Sequence, residues 1–128
     1  MSKLQRILYV EDEPDIQVVA KLALEMVGGY TVKICSSGNE ALREAEAFAP
    51  DMILLDVMMP GMDGPTTLAK LRQLPALDQV PIAFMTAKVQ PQEVAHFKLL
   101  GAVDVIPKPF DPMTLSNQVQ ALWSAAHD

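Results

Sequence analysis

The chain alternates five short apolar runs with longer amphipathic segments, and this alternation constrains its fold more than any other feature. Four of the runs are almost continuously apolar, which is typical of strands buried on both faces of a parallel sheet. The fifth run, residues 30–35, alternates apolar and polar side chains and therefore predicts a strand near the sheet edge. The four apolar runs are residues 7–10, 52–55, 82–85 and 103–106.

Proline and glycine mark the ends of the amphipathic segments. Residues 14–27 carry apolar side chains at helical spacing, among them Val19 and Val27, and Gly28-Gly29 ends the segment. The strand–helix unit is repeated five times, which predicts an open, doubly wound α/β sheet in one domain over residues 1–128. The predicted helices cover residues 14–27 and 39–48 and begin again near Pro65, Pro91 and Asp111-Pro112.

Composition narrows the function classes. The single cysteine, Cys35, lies in an alternating apolar stretch without a catalytic signature, so we expect a structural role and no disulfide framework. No apolar run approaches the roughly 18 residues of a membrane span. The formal net charge of −6 argues against nucleic acid as a direct partner. We therefore expect a soluble cytoplasmic protein with neither a membrane nor a nucleic-acid partner.

Polar side chains follow four of the five apolar runs. Glu11 and Asp12 follow the first run, Asp56 the third, Thr86 the fourth and Lys108 the last. Right-handed crossovers place the carboxyl ends of parallel strands at one edge of the sheet, where doubly wound folds bind their ligands. The sequence therefore predicts that three carboxylates, a hydroxyl and an ammonium group converge on one rim.

This group of side chains suits phosphoryl transfer on a metal. Clustered carboxylates repel one another, and a hard cation such as Mg²⁺ removes that conflict. A metal-bound Asp56 carboxylate can attack phosphorus, while Lys108 and Thr86 stabilise the phosphoryl oxygens. Taken singly, each residue has an ordinary explanation: acidic residues start helices, threonine caps them, and lysine is usually a surface residue. The prediction depends on the full set.

Four stretches carry a family resemblance. Residues 9–14, 54–64, 85–87 and 108–110 resemble the receiver domains of two-component response regulators, in order and with compatible spacing over essentially the whole chain. The resemblance implies a flavodoxin-like, CheY-like fold with strand order 2-1-3-4-5.

The resemblance also implies roles for individual residues. Asp56 matches the phosphoacceptor. Asp12 and Asp56 match direct Mg²⁺ ligands, the backbone carbonyl of Met58 matches the third, and Glu11 acts on the metal through water. Lys108 matches the phosphate-pairing lysine.

A second set of matching residues belongs to the switch. Thr86 resembles the hydroxyl that moves towards the phosphoryl group, and Ala87 is small enough to leave room for the movement. The Lys108-Pro109 bond is expected to be cis. Val105 departs from the family, which usually has an aromatic residue at this position. Phosphorylation should survive the change, but the usual paired movement of threonine and aromatic ring cannot operate.

The implied function is a Mg²⁺-dependent switch. Asp56 would take a phosphoryl group from the phosphohistidine of a sensor histidine kinase or phosphotransfer protein, and this would change binding to a downstream effector protein or output domain. We expect no enzyme activity beyond the chain's own phosphorylation and dephosphorylation. A phosphorylation-dependent homodimer is a further hypothesis. The sequence leaves open whether the chain stands alone or belongs to a larger regulator or hybrid kinase.

Two alternatives belong to other classes. A pseudo-receiver would share the fold and bind protein without being phosphorylated, although the full set of site residues argues against it. A Mg²⁺-dependent phosphohydrolase also uses a strand-end aspartate, but typically has a second aspartate two residues later. Met58 occupies that position here.

Overall fold

A computed structural model describes residues 3–127 and shows a parallel sheet of five strands with helices on both faces. The strands are β1 (Arg6–Val10), β2 (Thr31–Cys35), β3 (Met52–Asp56), β4 (Ile82–Thr86) and β5 (Asp104–Pro107). The helices are α1 (Pro14–Leu22), α2 (Gly38–Phe48), α3 (Gly64–Arg72), α4 (Pro91–Leu99) and α5 (Leu115–His127). A π-helical segment, Ala23–Val27, continues α1, and a short 3₁₀ helix, Pro75–Leu77, follows α3.

The strand order is β2-β1-β3-β4-β5 and every neighbouring pair is parallel, which confirms the predicted doubly wound sheet. Side chains of the central strands alternate between two apolar layers. On β3, Leu54 packs in the layer that also contains Trp123 of α5, whereas Leu55 packs in the layer that contains Phe97 of α4. The sheet therefore has one buried layer on each face, and β3 is buried throughout.

β2 lies at the edge of the sheet, as its alternating sequence predicts. Thr31 is exposed and Val32 is buried, so one face of the strand is wetter than the other. Lys33 on this strand forms an ion pair of 3.3 Å with Glu44 of α2. A charged side chain on an edge strand discourages pairing with another sheet.

Two helices differ from their sequence predictions. Val19 and Val27 lie at helical spacing with the core residues of α1, yet they are 42% and 48% exposed. The buried residues of this segment include the small Ala20, and Leu24 is buried on the same side of the helix. The helix therefore packs closely on the sheet, and the two valines stay outside the core. The predicted start of α5 at Asp111-Pro112 is wrong, because the helix begins at Leu115.

A turn precedes α5 instead of its expected first helical residues. The Asp111 side chain accepts a hydrogen bond of 2.9 Å from the Met113 N–H, and its backbone carbonyl accepts one of 3.0 Å from the Leu115 N–H. Asp111 therefore acts like a capping residue, but for a turn that leads into the helix.

The start of α3 is packed directly against the end of β3. Asp63 caps the helix by accepting a hydrogen bond of 2.9 Å from the Thr66 N–H. The Gly64 N–H donates to the Val57 carbonyl at 2.9 Å. A Cβ atom on Gly64 would lie 2.8 Å from the Val57 Cα and would also collide with the backbone carbonyl of Asp56. Glycine at this position lets α3 fix the backbone of Asp56.

We expect Gly64→Ala to destabilise the fold by about 2 kcal/mol, because a Cβ here meets backbone that cannot move aside. Gly61→Ala is the matched control. Gly61 has φ +79° and open space around it, so only the left-handed backbone is penalised, at about 1 kcal/mol. Equilibrium unfolding in urea measures both changes. Equal losses in the two variants would contradict the close packing at Asp56.

Candidate functional site

The polar residues that follow the strands meet at one edge of the sheet, as predicted. Asp56 and Thr86 are the last residues of β3 and β4, and Glu11 directly follows β1. Asp56 and Thr86 border a cavity of about 220 Å³ at the carboxyl ends of the strands. The cavity is lined by Glu13, Asp56, Met58, Thr86, Ala87, Lys88 and Lys108.

Three carboxylates form a compact acidic cluster beside this cavity. One oxygen each of Glu11, Asp12 and Asp56 lies within 4.8 Å of the other two. Glu11 is fully buried and Asp56 is 5% exposed, whereas Asp12 is half-buried. An all-oxygen set that is partly shielded from water is the kind of site that holds a hard divalent cation. The cluster could therefore bind a metal ion.

Lys108 bridges the two buried carboxylates. Its Nζ atom donates a hydrogen bond of 2.9 Å to Glu11 Oε1 and lies 3.3 Å from Asp56 Oδ1. The lysine side chain is only 16% exposed. The other Glu11 oxygen accepts a hydrogen bond of 3.2 Å from the Glu13 N–H. The Lys108-Pro109 peptide bond, which follows β5, is cis.

Burial and charge shift the pKa values of this group. Burial raises the pKa of Asp56 and that of Glu11 above their usual values, and Lys108 only partly opposes the shift. Burial alone would lower the pKa of Lys108, but the hydrogen bond to Glu11 and the charge of Asp56 outweigh it, so this pKa is raised. The lysine is therefore held in its charged form between two carboxyl groups that a second positive charge would stabilise further.

The switch residues lie in different surroundings. Thr86 is 5% exposed, and its hydroxyl oxygen accepts a hydrogen bond of 3.1 Å from the Lys88 N–H, which leaves its O–H to donate. Ala87 lines the cavity beside it. Val105 lies on β5 opposite Phe84 and packs, half-buried, against the layer under α4. Val105 is not part of the cavity wall.

The Met58 side chain is 70% exposed at the mouth of the cavity. The role predicted for Met58 concerns its backbone carbonyl, as a ligand of the metal. This role stays a prediction, as do the other roles that the resemblance assigns to single residues. The sequence argument did not give Glu13 a place at the site, yet Glu13 lines the cavity. Its position two residues after Glu11, at the entry to α1, is the signal that indicates this place.

Sequence reasoning also missed Tyr9. Its ring is fully buried, and its hydroxyl has no hydrogen-bond partner within residues 3–127. Burial and the nearby charges of Glu11 and Asp56 raise the pKa of the phenol. Tyr9 lies on β1 two residues before Glu11, which directly follows the strand, so alternation places both on the same side of the sheet. A polar hydroxyl therefore lies under the acidic cluster.

The fold and site together define a doubly wound α/β domain with an acidic cluster, neutralised by one lysine, at the carboxyl ends of its strands. The family model of the response regulator receiver domain matches residues 7–120, and the chain belongs to that family of two-component signalling domains.

Relatives and solved structures agree with this assignment. The chain is 39% identical, over 92% of its length, to the alkaline phosphatase synthesis transcriptional regulatory protein PhoP of Bacillus subtilis, covering 48% of that protein. The structure of the chemotaxis response regulator CheY4 of Vibrio cholerae is 30% identical, with a TM-score of 0.86 over 94% of this chain and 99% of that one. The signal receiver domain of a histidine kinase from Syntrophus aciditrophicus is 35% identical, with a TM-score of 0.80 over 94% and 91% of the two chains.

The chain spans about half the length of the curated relatives it matches. Another of these, from Mycolicibacterium smegmatis, is named DNA-binding response regulator MtrA; it is 36% identical over 91% of this chain and 50% of its own length. The expectation that this chain has no nucleic-acid partner therefore stays a prediction. Within residues 3–127, no helix is both long enough and apolar enough to cross a membrane. The cytoplasmic location also stays a prediction.

We expect Asp56→Asn to stabilise the metal-free protein increasingly as the pH rises. A carboxyl pKa that is raised in the folded state favours folding at low pH, and this contribution is lost as the pH rises from the unfolded value through the folded one. The asparagine variant has no such loss. The difference should be small near pH 4 and should grow as the pH rises towards 7.

Urea unfolding at several pH values, in the presence of a chelator, measures this difference. Asp63→Asn is a control of opposite sign, because the hydrogen bonds from Thr66 lower the pKa of Asp63 and the wild-type carboxylate therefore adds stability as the pH rises. A pH-independent difference for Asp56→Asn would show that burial does not disfavour the Asp56 charge.

Proposed function

We propose that this chain is a phosphoacceptor receiver whose Asp56 takes a phosphoryl group from the phosphohistidine of a sensor histidine kinase or phosphotransfer protein. The observation that carries the proposal is the position of Lys108 Nζ, 2.9 Å from Glu11 and 3.3 Å from Asp56, at a cavity large enough for a phosphoryl group. A fixed ammonium beside a nucleophilic carboxylate stabilises charge on the incoming phosphoryl oxygens.

The acidic cluster supports Mg²⁺ as the cofactor, in keeping with the general use of Mg²⁺ by receiver domains. Three carboxylates face one lysine, so the group carries surplus negative charge that a divalent cation would neutralise. Asp12, Asp56 and the Met58 carbonyl would hold the ion directly, and Glu11 would do so through water. When bound, the metal supplies positive charge for one phosphoryl oxygen.

The side chains of the site have distinct tasks in the transfer. An Asp56 oxygen attacks phosphorus as the bond from phosphorus to the donor imidazole nitrogen breaks, and the electron pair of that bond leaves with the imidazole. Lys108 pairs with a second phosphoryl oxygen, and the Thr86 hydroxyl donates to a third. Water later hydrolyses the acyl phosphate, so the chain catalyses only its own phosphorylation and dephosphorylation.

Output to a downstream effector protein or output domain would proceed through Thr86 without an aromatic partner on β5. Phe84 lies two residues before Thr86, on the same side of β4, and its ring is 5.0 Å from that of Phe97 on α4. A movement of Thr86 towards the phosphoryl group would be transmitted to α4 through this pair of rings. Val105 sits beside Phe84 and does not fill the role of the usual aromatic side chain.

Incubation with acetyl phosphate and Mg²⁺ should add one phosphoryl group to the wild-type protein and none to Asp56→Asn. Lys108→Met should fold and react at least about tenfold more slowly, because it loses charge stabilisation of the transition state. Intact-protein mass spectrometry follows the adduct, and a chelator should abolish it. Absence of an adduct at every Mg²⁺ concentration would favour the pseudo-receiver. Steady turnover of a phosphoester would favour a hydrolase.

Two substitutions that each remove one negative charge can distinguish direct metal coordination from a general electrostatic effect. We expect Asp12→Asn to weaken Mg²⁺ binding at least about tenfold, since it removes a first-sphere carboxylate. Glu13→Gln removes the same charge one residue away, outside the acidic cluster, and should weaken binding only slightly. Thermal unfolding against Mg²⁺ concentration gives both affinities, because a ligand of the folded state raises Tm. Equal effects of the two variants would contradict the proposed ligand set.

A further inference from the structure

Tyr9 carries a buried hydroxyl that the packing of the fold does not explain. Its ring is fully buried in the apolar layer that also contains Leu54 and Trp123, and within residues 3–127 its oxygen has no hydrogen-bond partner. A buried polar group without a partner disfavours folding, whereas phenylalanine would fill nearly the same space without that cost. The hydroxyl therefore needs an explanation other than packing.

The charges that act on this hydroxyl are both negative. Tyr9 pairs with Leu54 of β3, and Glu11 and Asp56 follow these two residues by two positions each, so alternation places all four on one side of the sheet. Two residues advance a strand by about 6.6 Å, so the phenol ring lies one step below the two carboxylates. Burial, and then the charges of Glu11 and Asp56, raise the pKa of Tyr9, which keeps the proton on the phenol. The hydroxyl is therefore a donor close to two acceptors.

Glu11 depends on Lys108 for one of its hydrogen bonds. The Lys108 Nζ atom donates to Glu11 Oε1 at 2.9 Å, and the Glu13 N–H donates to Oε2 at 3.2 Å. In the proposed function Lys108 also pairs with a phosphoryl oxygen, so a group with close to two negative charges competes for the same ammonium. A fully buried carboxylate that loses a charged donor is strongly destabilised unless another donor replaces it.

Tyr9 is in the right place to supply that donor. Within residues 3–127, the buried side-chain donors without a partner are the Tyr9 hydroxyl and Nε1 of Trp123. Trp123 lines a cavity with Leu4 and Gly29, which precede β1 and β2 and therefore lie at the opposite edge of the sheet from the acidic cluster. Of the two donors, only the Tyr9 hydroxyl is thus available to Glu11.

We propose that Tyr9 is a positioning residue of the phosphorylated state, whose hydroxyl donates a hydrogen bond to the Glu11 carboxylate when Lys108 turns to the phosphoryl group. This inference rests on the proposed function. The exchange of donors keeps Glu11 ionised and fixed in the acidic cluster while Lys108 neutralises a phosphoryl oxygen. Tyr9 contacts neither the phosphoryl group nor the metal and acts only through Glu11.

Tyr9→Phe removes the oxygen and keeps the ring, and its two effects should have opposite signs. In a chelator the variant should be at least as stable in urea as the wild-type protein, because it loses no hydrogen bond. With Mg²⁺ it should bind beryllofluoride, a mimic of the phosphoryl group, at least about fivefold more weakly, because Glu11 loses its replacement donor. Thermal unfolding against beryllofluoride concentration gives this affinity.

Tyr30→Phe is the matched control. Tyr30 directly precedes β2, at the opposite edge of the sheet, and its hydroxyl donates a hydrogen bond of 3.0 Å to Gln120 Oε1. Loss of this bond should lower the stability, whereas the affinity for beryllofluoride should not change. The chain has two tyrosines, so this substitution also leaves Tyr9 as the only one.

The proposed hydrogen bond can be observed directly in Tyr30→Phe. The ultraviolet resonance Raman doublet of a tyrosine depends on whether its hydroxyl donates a hydrogen bond. Addition of Mg²⁺ and beryllofluoride should therefore move the doublet of Tyr9 towards the form typical of a donor. A tyrosine with a purely structural role would give the same doublet before and after the addition.

The possible failures are distinguishable. If the wild-type protein takes a phosphoryl group from acetyl phosphate but Tyr9→Phe binds beryllofluoride equally well, or the doublet does not respond, the inference is wrong and the proposed function stands. A loss of stability in metal-free Tyr9→Phe would show that the hydroxyl already has a structural role, and this also overturns the inference. If the wild-type protein neither reacts with acetyl phosphate nor binds beryllofluoride, the proposed function fails, and the inference fails with it.

Discussion

The bridge from Lys108 to Glu11 and Asp56 is the interaction on which the site depends. It joins the last residue of β3 to residues that directly follow β1 and β5, so it exists only when these three strands have their observed order and register. Buried carboxylates of like charge oppose their own assembly, and the lysine is what makes their proximity tolerable in the metal-free protein. Burial still raises the pKa of Glu11 and that of Asp56, so one lysine does not compensate fully. The fold thus holds a partly neutralised group of acids ready for more positive charge.

Much of this arrangement could be predicted from the sequence, because it follows from strand ends. The near-continuous apolar runs identify the central strands, and the residue after each run is then placed on one rim. Glu11, Asp56, Thr86 and Lys108 are all found there. The alternation of residues 30–35 likewise identified the edge strand.

The features that the sequence did not predict depend on tertiary packing, which the spacing of apolar residues does not reveal. Val19 and Val27 have the right spacing for the core, but small side chains such as Ala20 let α1 approach the sheet closely and leave the valines outside. Asp111 has a capping residue's chemistry, yet it caps a turn before α5. In the sequence Tyr9 is an ordinary strand residue, and only the fold shows that its buried hydroxyl is close to Glu11 and Asp56. In each case tertiary contacts, rather than local preference, decided the outcome.

The contact between Gly64 and the end of β3 has a mechanical consequence. Asp56 is held by the sheet on one side and by the first turn of α3 on the other, with no space for even a methyl group between them. In the proposed function, its backbone would therefore be a fixed reference point when a phosphoryl group is attached to its side chain. The added volume would have to be accommodated by elements that are less tightly held, such as the chain after β4 with its exposed Ala87 and Lys88. A rigid point of attachment would thus cause neighbouring segments to move, because the backbone of Asp56 itself cannot shift.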